Sequence, residues 1–340
     1  MAGGQERVLR RRIKSIQSTQ KITRAQELIA ASRIARAQQA VNAAQPYSES
    51  IRQVVRDLGA AGGGDSPLLV ARPEIRRVCH VVIAGDRGLC GAYNTAVIRA
   101  AERSIQAHQR DGRDYALIVV GRRAESYFRY REYRIDAAFS GFSDRPTYEH
   151  AREIGAAATS AFLAGDTDVV DVVYTRFVTA GTQVVTQERL IPLSRDDTPT
   201  TDGAPVADAA PTVSAGYEFE PSTEVILDLL LPRYVDARIF AALLNGAASE
   251  HAARQRAMKS ATDNAEDLIT TLSRSMNRAR QDAITTEIME IVSGAEALRT
   301  SSSEDLLADT IEARDPELFA RHDQAHAHAH APAHPHSHDH

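Results

Sequence analysis

A chain of 340 residues with 43% hydrophobic and 25% charged residues has room for one large or two medium folded regions. No apolar run approaches the roughly 18 residues a membrane-spanning helix needs, and the opening MAGGQERVLRRR lacks the apolar centre of a signal peptide. Cys79 and Cys90 are too few for a disulfide framework and read as small buried apolar residues in a reducing compartment.

The net charge of −5 is unevenly spread. Residues 1–36 hold nine basic residues against Glu6 and Glu27, a balance of +7, whereas residues 301–340 hold two arginines against eight carboxylates, a balance of −6. A basic helix and an acidic tail call for different partners.

Residues 5–58 read as one long helix. Ile34, Ala37, Val41, Ala44, Ser48, Ile51, Val55 and Leu58 follow the alternating 3-and-4 spacing of a coiled-coil seam. Pro46 inside it predicts a kink or the end of a segment. The same phase places Gln20, Thr23 and Glu27 inward, so this basic end is expected to meet another protein. Residues 59–74 carry turn chemistry. RVCHVVIAG (77–85), DYALIVVG (114–121), VVDVVYTRFV (169–178) and QVVTQERLIPL (183–193) are predicted strands, the last two joined by a hairpin at Thr179–Thr182. Helices are predicted over 92–109 and 146–163, with an amphipathic RRAESYFRYR after the second strand. Strands alternating with helices indicate a largely parallel sheet.

Residues 195–216 are rich in Pro, Asp and Ala and read as a mobile loop. Ser222 is the predicted cap of the closing helix, and Pro232 its predicted break. From Phe240 to Leu298 no proline interrupts the pattern. Met258, Ala261, Ala265, Leu268, Leu272, Met276, Ala279 and Ala283 form a predicted seam with one irregular step. These 59 residues would make a rod of about 89 Å, which needs a partner helix of similar length, and the N-terminal helix supplies one. Eight of the twelve histidines lie from His322 onward, in a tail read as solvated and changing charge near pH ~6.5, with weak metal binding as the alternative. The expected organisation is a helix over 1–58, an inserted α/β domain over 75–220, a second long helix over 222–299 and an acidic, histidine-rich tail over 300–340.

No catalytic constellation emerges. GDRGLCG (85–91) follows a strand and precedes a helix, but it lacks the G-x-G-x-x-G spacing and the Lys-Ser/Thr pair of phosphate-binding loops. Arg87 could contact an anion, and Gly85, Gly88 and Gly91 serve equally as turn residues. Ser249, Glu250 and His251 are consecutive on a helix and face different ways, so they form no triad. No zinc-ligand spacing joins His80, His108, His150 and His251. The basic N-terminal helix has little of the aromatic interleaving of a nucleic-acid binder.

Four long stretches carry a resemblance. RIKSIQSTQKIT (12–23) with RAQELIAASRIARAQ (24–38), then GDRGLCGAYN (85–94), ASEHAARQRAMKSATDNAEDLI (248–269) and NRARQDAITTEIMEIVSGAEAL (277–298) resemble the gamma subunit of rotary ATP synthases. The resemblance implies an α/β fold in which long N- and C-terminal helices form an antiparallel coiled coil around an inserted Rossmann-like domain. It implies a non-catalytic central rotor shaft that binds no cofactor. Its partners would be the alpha and beta subunits of the hexameric head, the epsilon subunit and the c-subunit ring. Membrane association would come only through the complex, peripherally, at the cytoplasmic face of the cell membrane.

By motif match, Arg278, Arg280 and Gln281 correspond to a catch contact with a beta-subunit loop, and Arg254 to a position that affects coupling. Lys21, Arg24 and Gln26 lie where the shaft passes an acidic beta-subunit loop, and Arg33 and Arg36 continue that basic side. AQELIAAS stands where the family commonly has AMEMVAAS, which changes the surface at Gln26 and Leu28, and GAYN replaces the commoner GGLN. The alternative reading is a non-rotary coiled-coil scaffold.

Overall fold

The computed structural model describes residues 2–60, 66–193 and 223–300. The expected loop at 195–216, the Ser222 cap and the tail beyond Thr300 lie outside the described residues. Helix α1 runs Ala2–Ala60. Strand β1 (Arg77–Ile83), helix α2 (Tyr93–Arg110), strand β2 (Asp114–Val120), helix α3 (Arg122–Tyr130), strand β3 (Ala137–Phe139), helix α4 (Tyr148–Leu163), strand β4 (Val169–Phe177), strand β5 (Gln183–Ile191) and helix α5 (Thr223–Thr300) follow. The sequence reading missed β3, whose three residues are too few to show a period.

The strands form one sheet in the order β3-β2-β1-β4-β5. All neighbours are parallel except β4 and β5, which form the expected antiparallel hairpin. Thr179 shapes its turn, accepting hydrogen bonds at Oγ1 from the N–H groups of Gly181 and Thr182. β1 lies in the middle and is buried on both sides, which is why RVCHVVI is a continuous apolar run. Cys79, Val81 and Ile83 join a core with α4, α5 and the end of α1. Val82 joins a second core with Val97, Ile98, Ala101 and Ile105 of α2 and Phe128 of α3. α4 opens on a capping box in which the Thr147 N–H donates to His150 Nδ1 at 3.1 Å.

Residues 16–268 form one compact unit, and residues 1–15 with 269–340 the other. Within the larger unit α1 and α5 pair antiparallel: Thr23 meets Thr262, while Ile51 and Leu58 share a core with Tyr234, Leu227 and Leu231. The expected break at Pro232 is absent, and α5 continues through it. A proline inside a helix loses one hydrogen bond and crowds the preceding turn, together costing about 3 kcal/mol. Leu227 and Leu231 before the proline and Tyr234 and Val235 after it are buried in one core, each worth about 1.5–3 kcal/mol, and together they outweigh that cost. α1 likewise continues through Pro46, which is exposed.

The α5 seam differs from its predicted phase at two positions. Leu268 is 52% exposed, whereas Ile269 is half-buried, and Thr262 is more deeply buried than Ala261. The inward set is Met258, Thr262, Ala265, Ile269, Leu272, Met276, Ala279 and Ala283. These gaps alternate 4 and 3 throughout, so the irregular step disappears. It arose because an apolar alphabet passes over a threonine. In the smaller unit Ile13 and Ala279 are buried, and Leu9, Leu272 and Met276 are half-buried.

Candidate functional site

The turn after β1 is the natural place to look for chemistry. In an open α/β sheet, ligands sit outside the carboxyl ends of strands where the chain order reverses. Here β2 lies to one side of β1 and β4 to the other, so that point falls at residues 84–91. Two carboxylates converge on it. Asp86 accepts the N–H groups of Gly141 at 2.9 Å, Ser143 at 3.0 Å and Arg122 at 3.1 Å, which ties the turn to the loops after β2 and β3. Burial alone would raise its pKa, but the donors of Ser143, Gly141 and Arg122 outweigh it and the net shift is downward. Gly121 closes the turn from below. Its φ is +95°, and a Cβ there would stand 2.2 Å from the Ala84 carbonyl oxygen.

The second carboxylate comes from α5. A Cβ on Gly85 would lie 2.8 Å from Glu250 Oε2, so the glycine makes room for a helix and not for a phosphate. Glu250 is paired with Arg254 Nη2 at 2.5 Å, and the same nitrogen donates to the Gly88 carbonyl at 3.3 Å. Burial raises the Glu250 pKa, opposed by Arg254 and by Ser143. Ser249 Oγ donates to the Thr175 carbonyl at 3.1 Å, and His251 Nε2 lies 3.4 Å from the Asp144 carbonyl. Burial lowers the His251 pKa to about 4, which keeps the ring neutral near pH ~7. Ser249, Glu250 and His251 thus reach three different places. Glu250 of α5 occupies the space beside Gly85 at the carboxyl end of β1, and a cavity of about 400 Å³ remains between Cys90, Gly91, Thr175 and Ala257.

The arginines divide accordingly. Arg254 is 8% exposed and spent inside the protein. Sequence reasoning grouped it with the partner contacts, whereas the structure makes it a residue that positions the 85–91 turn against α5. The signal lay four residues upstream, since Glu250 and Arg254 have the i, i+4 spacing of a helical ion pair. Arg33 is also engaged, 2.8 Å from Asp144, and Arg87 approaches the same carboxylate at 3.5 Å. Arg256 binds the Ala180 carbonyl and Gln183 Oε1, fastening α5 to the β4–β5 hairpin, a role that sequence reading missed.

Lys21, Arg24, Arg36, Arg278, Arg280 and Gln281 are exposed, and Gln26 is half-buried. Arg24 pairs with Glu27 at 3.0 Å. Lys21, Arg278 and Arg280 have no ion pair among the described residues. Beyond them Ile284, Ile288, Met289, Ile291 and Val292 are all exposed. Gln20, Thr23 and Glu27 lie on the inward phase, as the spacing predicts, and the helix they meet belongs to this chain. Thr23 is buried, and its Oγ1 lies 2.8 Å from Thr262 Oγ1 across the seam. Gln20 and Glu27 are half-buried on either side of it. The polar phase at this end is met by α5.

Comparison with known proteins places this architecture. The family model described as ATP synthase matches residues 5–298. The ATP synthase gamma chain of Frankia casuarinae is 49% identical over 303 residues, covering 88% of this chain and 99% of its own. That of Streptomyces coelicolor is 44% identical, with 88% and 98% covered. That of Mycolicibacterium smegmatis is 45% identical, with 87% and 98% covered. Among solved structures, a chain of the Euglena gracilis mitochondrial ATP synthase rotor superposes with a TM-score of 0.58 at 17% identity, covering 83% of this chain and 99% of that one. A chain of the same enzyme's OSCP/F1/c-ring assembly superposes with a TM-score of 0.59 at 18% identity, with 88% and 96% covered. Matched by the family model over residues 5–298 and by these relatives along nearly their whole length, the chain is a member of the ATP synthase gamma chain family.

Proposed function

We propose that this chain is the central rotor shaft of ATP synthase, coupling proton flow through the membrane sector to ATP synthesis or hydrolysis in the head. The observation that carries the reading is likeness to gamma chains along nearly their whole length. A gamma chain is a non-catalytic subunit. Its partners are the alpha and beta subunits and the c-ring, and we extend these to epsilon. It is a peripheral subunit of a membrane complex, and among the described residues no helix is long and apolar enough to cross a membrane. We assign it to the cytoplasmic face.

Mechanically, an antiparallel helix pair is stiff and presents a different face to each of three beta subunits. Each nucleotide site is then biased by different contacts, and the coupling works in both directions. Arg278, Arg280 and Gln281 would form the catch with a beta-subunit loop. Lys21, Arg24 and Gln26 would face an acidic loop of beta. Exposure and the lack of internal ion pairs at Lys21, Arg278 and Arg280 support this, since a guanidinium fork left free can take a carboxylate bidentately. Arg254 acts indirectly, by holding the 85–91 turn.

Native mass spectrometry of complexes captured through this chain tests the reading. One copy with three alpha and three beta subunits is expected. Symmetric ratios with unrelated partners would move the weight to the scaffold. In the assembled enzyme Arg280→Ala should lower ATPase activity roughly threefold to tenfold, about 0.7–1.4 kcal/mol in the barrier, without changing the stability of the chain. Unchanged activity removes Arg280 from the catch.

A further inference from the structure

We propose that Asp144, in the loop between β3 and α4, is a positioning residue that locks α1 to the α/β domain and so sets the torsional stiffness of the shaft where the helix pair joins that domain. The inference rests on the rotor reading above.

The backbone that carries Asp144 is held from both sides. Ser143 Oγ accepts the Asp86 N–H at 2.9 Å, and the Asp86 carboxylate in turn accepts the N–H groups of Gly141 and Ser143. Phe142 stacks on His150 of α4, with ring centroids 3.9 Å apart and planes 8° from parallel. From this fixed base Asp144 reaches three elements. Its Oδ2 lies 2.8 Å from Arg33 Nη1 of α1 and 3.5 Å from Arg87 Nη2 of the turn after β1. Its carbonyl oxygen lies 3.4 Å from His251 Nε2 of α5.

The two long helices depend on this residue unequally. At this level α5 is held by burial, with Ala247, Ala248, Ser249, Glu250, His251 and Ala252 all inside. Over residues 33–40 of α1, Ile34 is the one buried side chain. The ion pairs Arg10–Glu6 and Arg24–Glu27 stay within α1, whereas Arg33–Asp144 crosses to the α/β domain. Apolar packing is non-directional and lets a helix roll about its axis; a charge-assisted hydrogen bond resists rolling and sliding. Both partners of this bond are half-buried, so salt screens it less than a surface pair. Without it, α1 can turn against the domain while α5 stays in place, and rotation is taken up inside the chain before it reaches the head.

The angular fluctuation of single assembled enzymes tests this. The head is immobilised, and a bead is attached through Tyr130→Cys on the exposed end of α3; Cys79 and Cys90 are buried and do not compete for the label. The thermal variance of the bead's angle in the pauses between steps is inverse to stiffness. Asp144→Asn and Arg33→Gln should each raise that variance about twofold, and the double substitution no further, because both break one bond. Arg33→Gln leaves the loop itself intact, so a folding defect in the Asp144 variant does not hide the effect. Asp144→Glu, which keeps the charge, should restore most of the stiffness. Arg129→Gln, which breaks an ion pair inside α3, should change nothing. Variance unmoved by both Asp144→Asn and Arg33→Gln, additive effects in the double variant, or an equal rise with Arg129→Gln would overturn the joint and leave the rotor reading standing. A chain with natural Asp144 and Arg33 that assembles with the head and does not rotate against it would overturn both.

Discussion

Arg254 and Arg280 stand on the same helix and come from adjacent motifs, yet their surroundings are opposite. Around Arg254, α5 is buried on nearly every side: Ala248, Ser249, Glu250, His251 and Ala252 are all inside. Around Arg280, only Ala279 is buried, and the following isoleucines face outward. In the first stretch Glu250 pairs with Arg254 and Ser249 donates to the Thr175 carbonyl. The second presents cations with no ion pair among the described residues and uncovered apolar side chains. Motif likeness alone placed both arginines in one class. Burial separates them, because a guanidinium removed from water must find its acceptor at home, whereas an exposed one can wait for a partner's.

The largest effect should come from breaking the buried stretch. Glu250→Ala leaves Arg254 charged, buried and unpaired, and should cost about 3–5 kcal/mol in a denaturant titration of the full chain. A loss under about 1 kcal/mol would mean that Arg254 reaches solvent and that the two regions differ less than the structure says.

The seam offers a sharper contrast between neighbours. Ile269→Ala should cost about 1–2 kcal/mol, reduced from the full core value because the side chain is half-buried. Leu268→Ala, on an exposed side chain, should stay within about 0.5 kcal/mol. The reverse order would restore the predicted phase with its irregular step.

Within the seam the threonine pair tests how polar groups are tolerated inside. Thr262 Oγ1 also lies 2.9 Å from the Met258 carbonyl, and Thr23 Oγ1 lies 3.0 Å from that of Gln20. One hydroxyl can donate across the seam while the other donates to its own helix. Thr262→Val alone should cost about 1 kcal/mol, and the double Thr23→Val, Thr262→Val substitution should recover most of it. Additive losses in the double-mutant cycle would show that the two hydroxyls act separately.

The smallest effect concerns Asp236, on the buried stretch of α5. Burial raises its pKa to about 6, partly offset by Arg152, and its Oδ1 lies 2.1 Å from where a Gly155 Cβ would be. The folded state therefore holds the proton more tightly than the unfolded chain, whose aspartate titrates near pH ~4. Stability from this group is present below that pH and is lost as pH rises through 6. Asp236→Asn should be the more stable protein at neutral pH, with the advantage shrinking toward pH ~4.5. A difference that does not vary with pH would assign the effect to packing.

Much of the architecture was legible because periodicity is a local property. The strand runs at 77–85, 114–121, 169–178 and 183–193, the hairpin at Thr179–Thr182 and both long helices follow from spacing and turn residues alone. Other features were hidden by the same locality. β3 is too short to show a period. Pro232 looked like a break because the core that carries the helix across it is assembled from distant segments. Leu268 looked like a seam residue because hydrophobicity ranks it above Thr262 and Ile269 does not stand out beside it.

By itself, the sequence determined that two long heptad helices enclose an α/β unit, since the 3-and-4 and twofold periods are written in residue order. Only the tertiary structure decided that Glu250 of α5 occupies the space beside Gly85, that Thr23 answers Thr262, and that Arg254 faces inward while Arg280 faces out. These are pairings between residues far apart in the chain, and what fixes them is the cost of burying a polar group without a partner, which no window along the sequence can register.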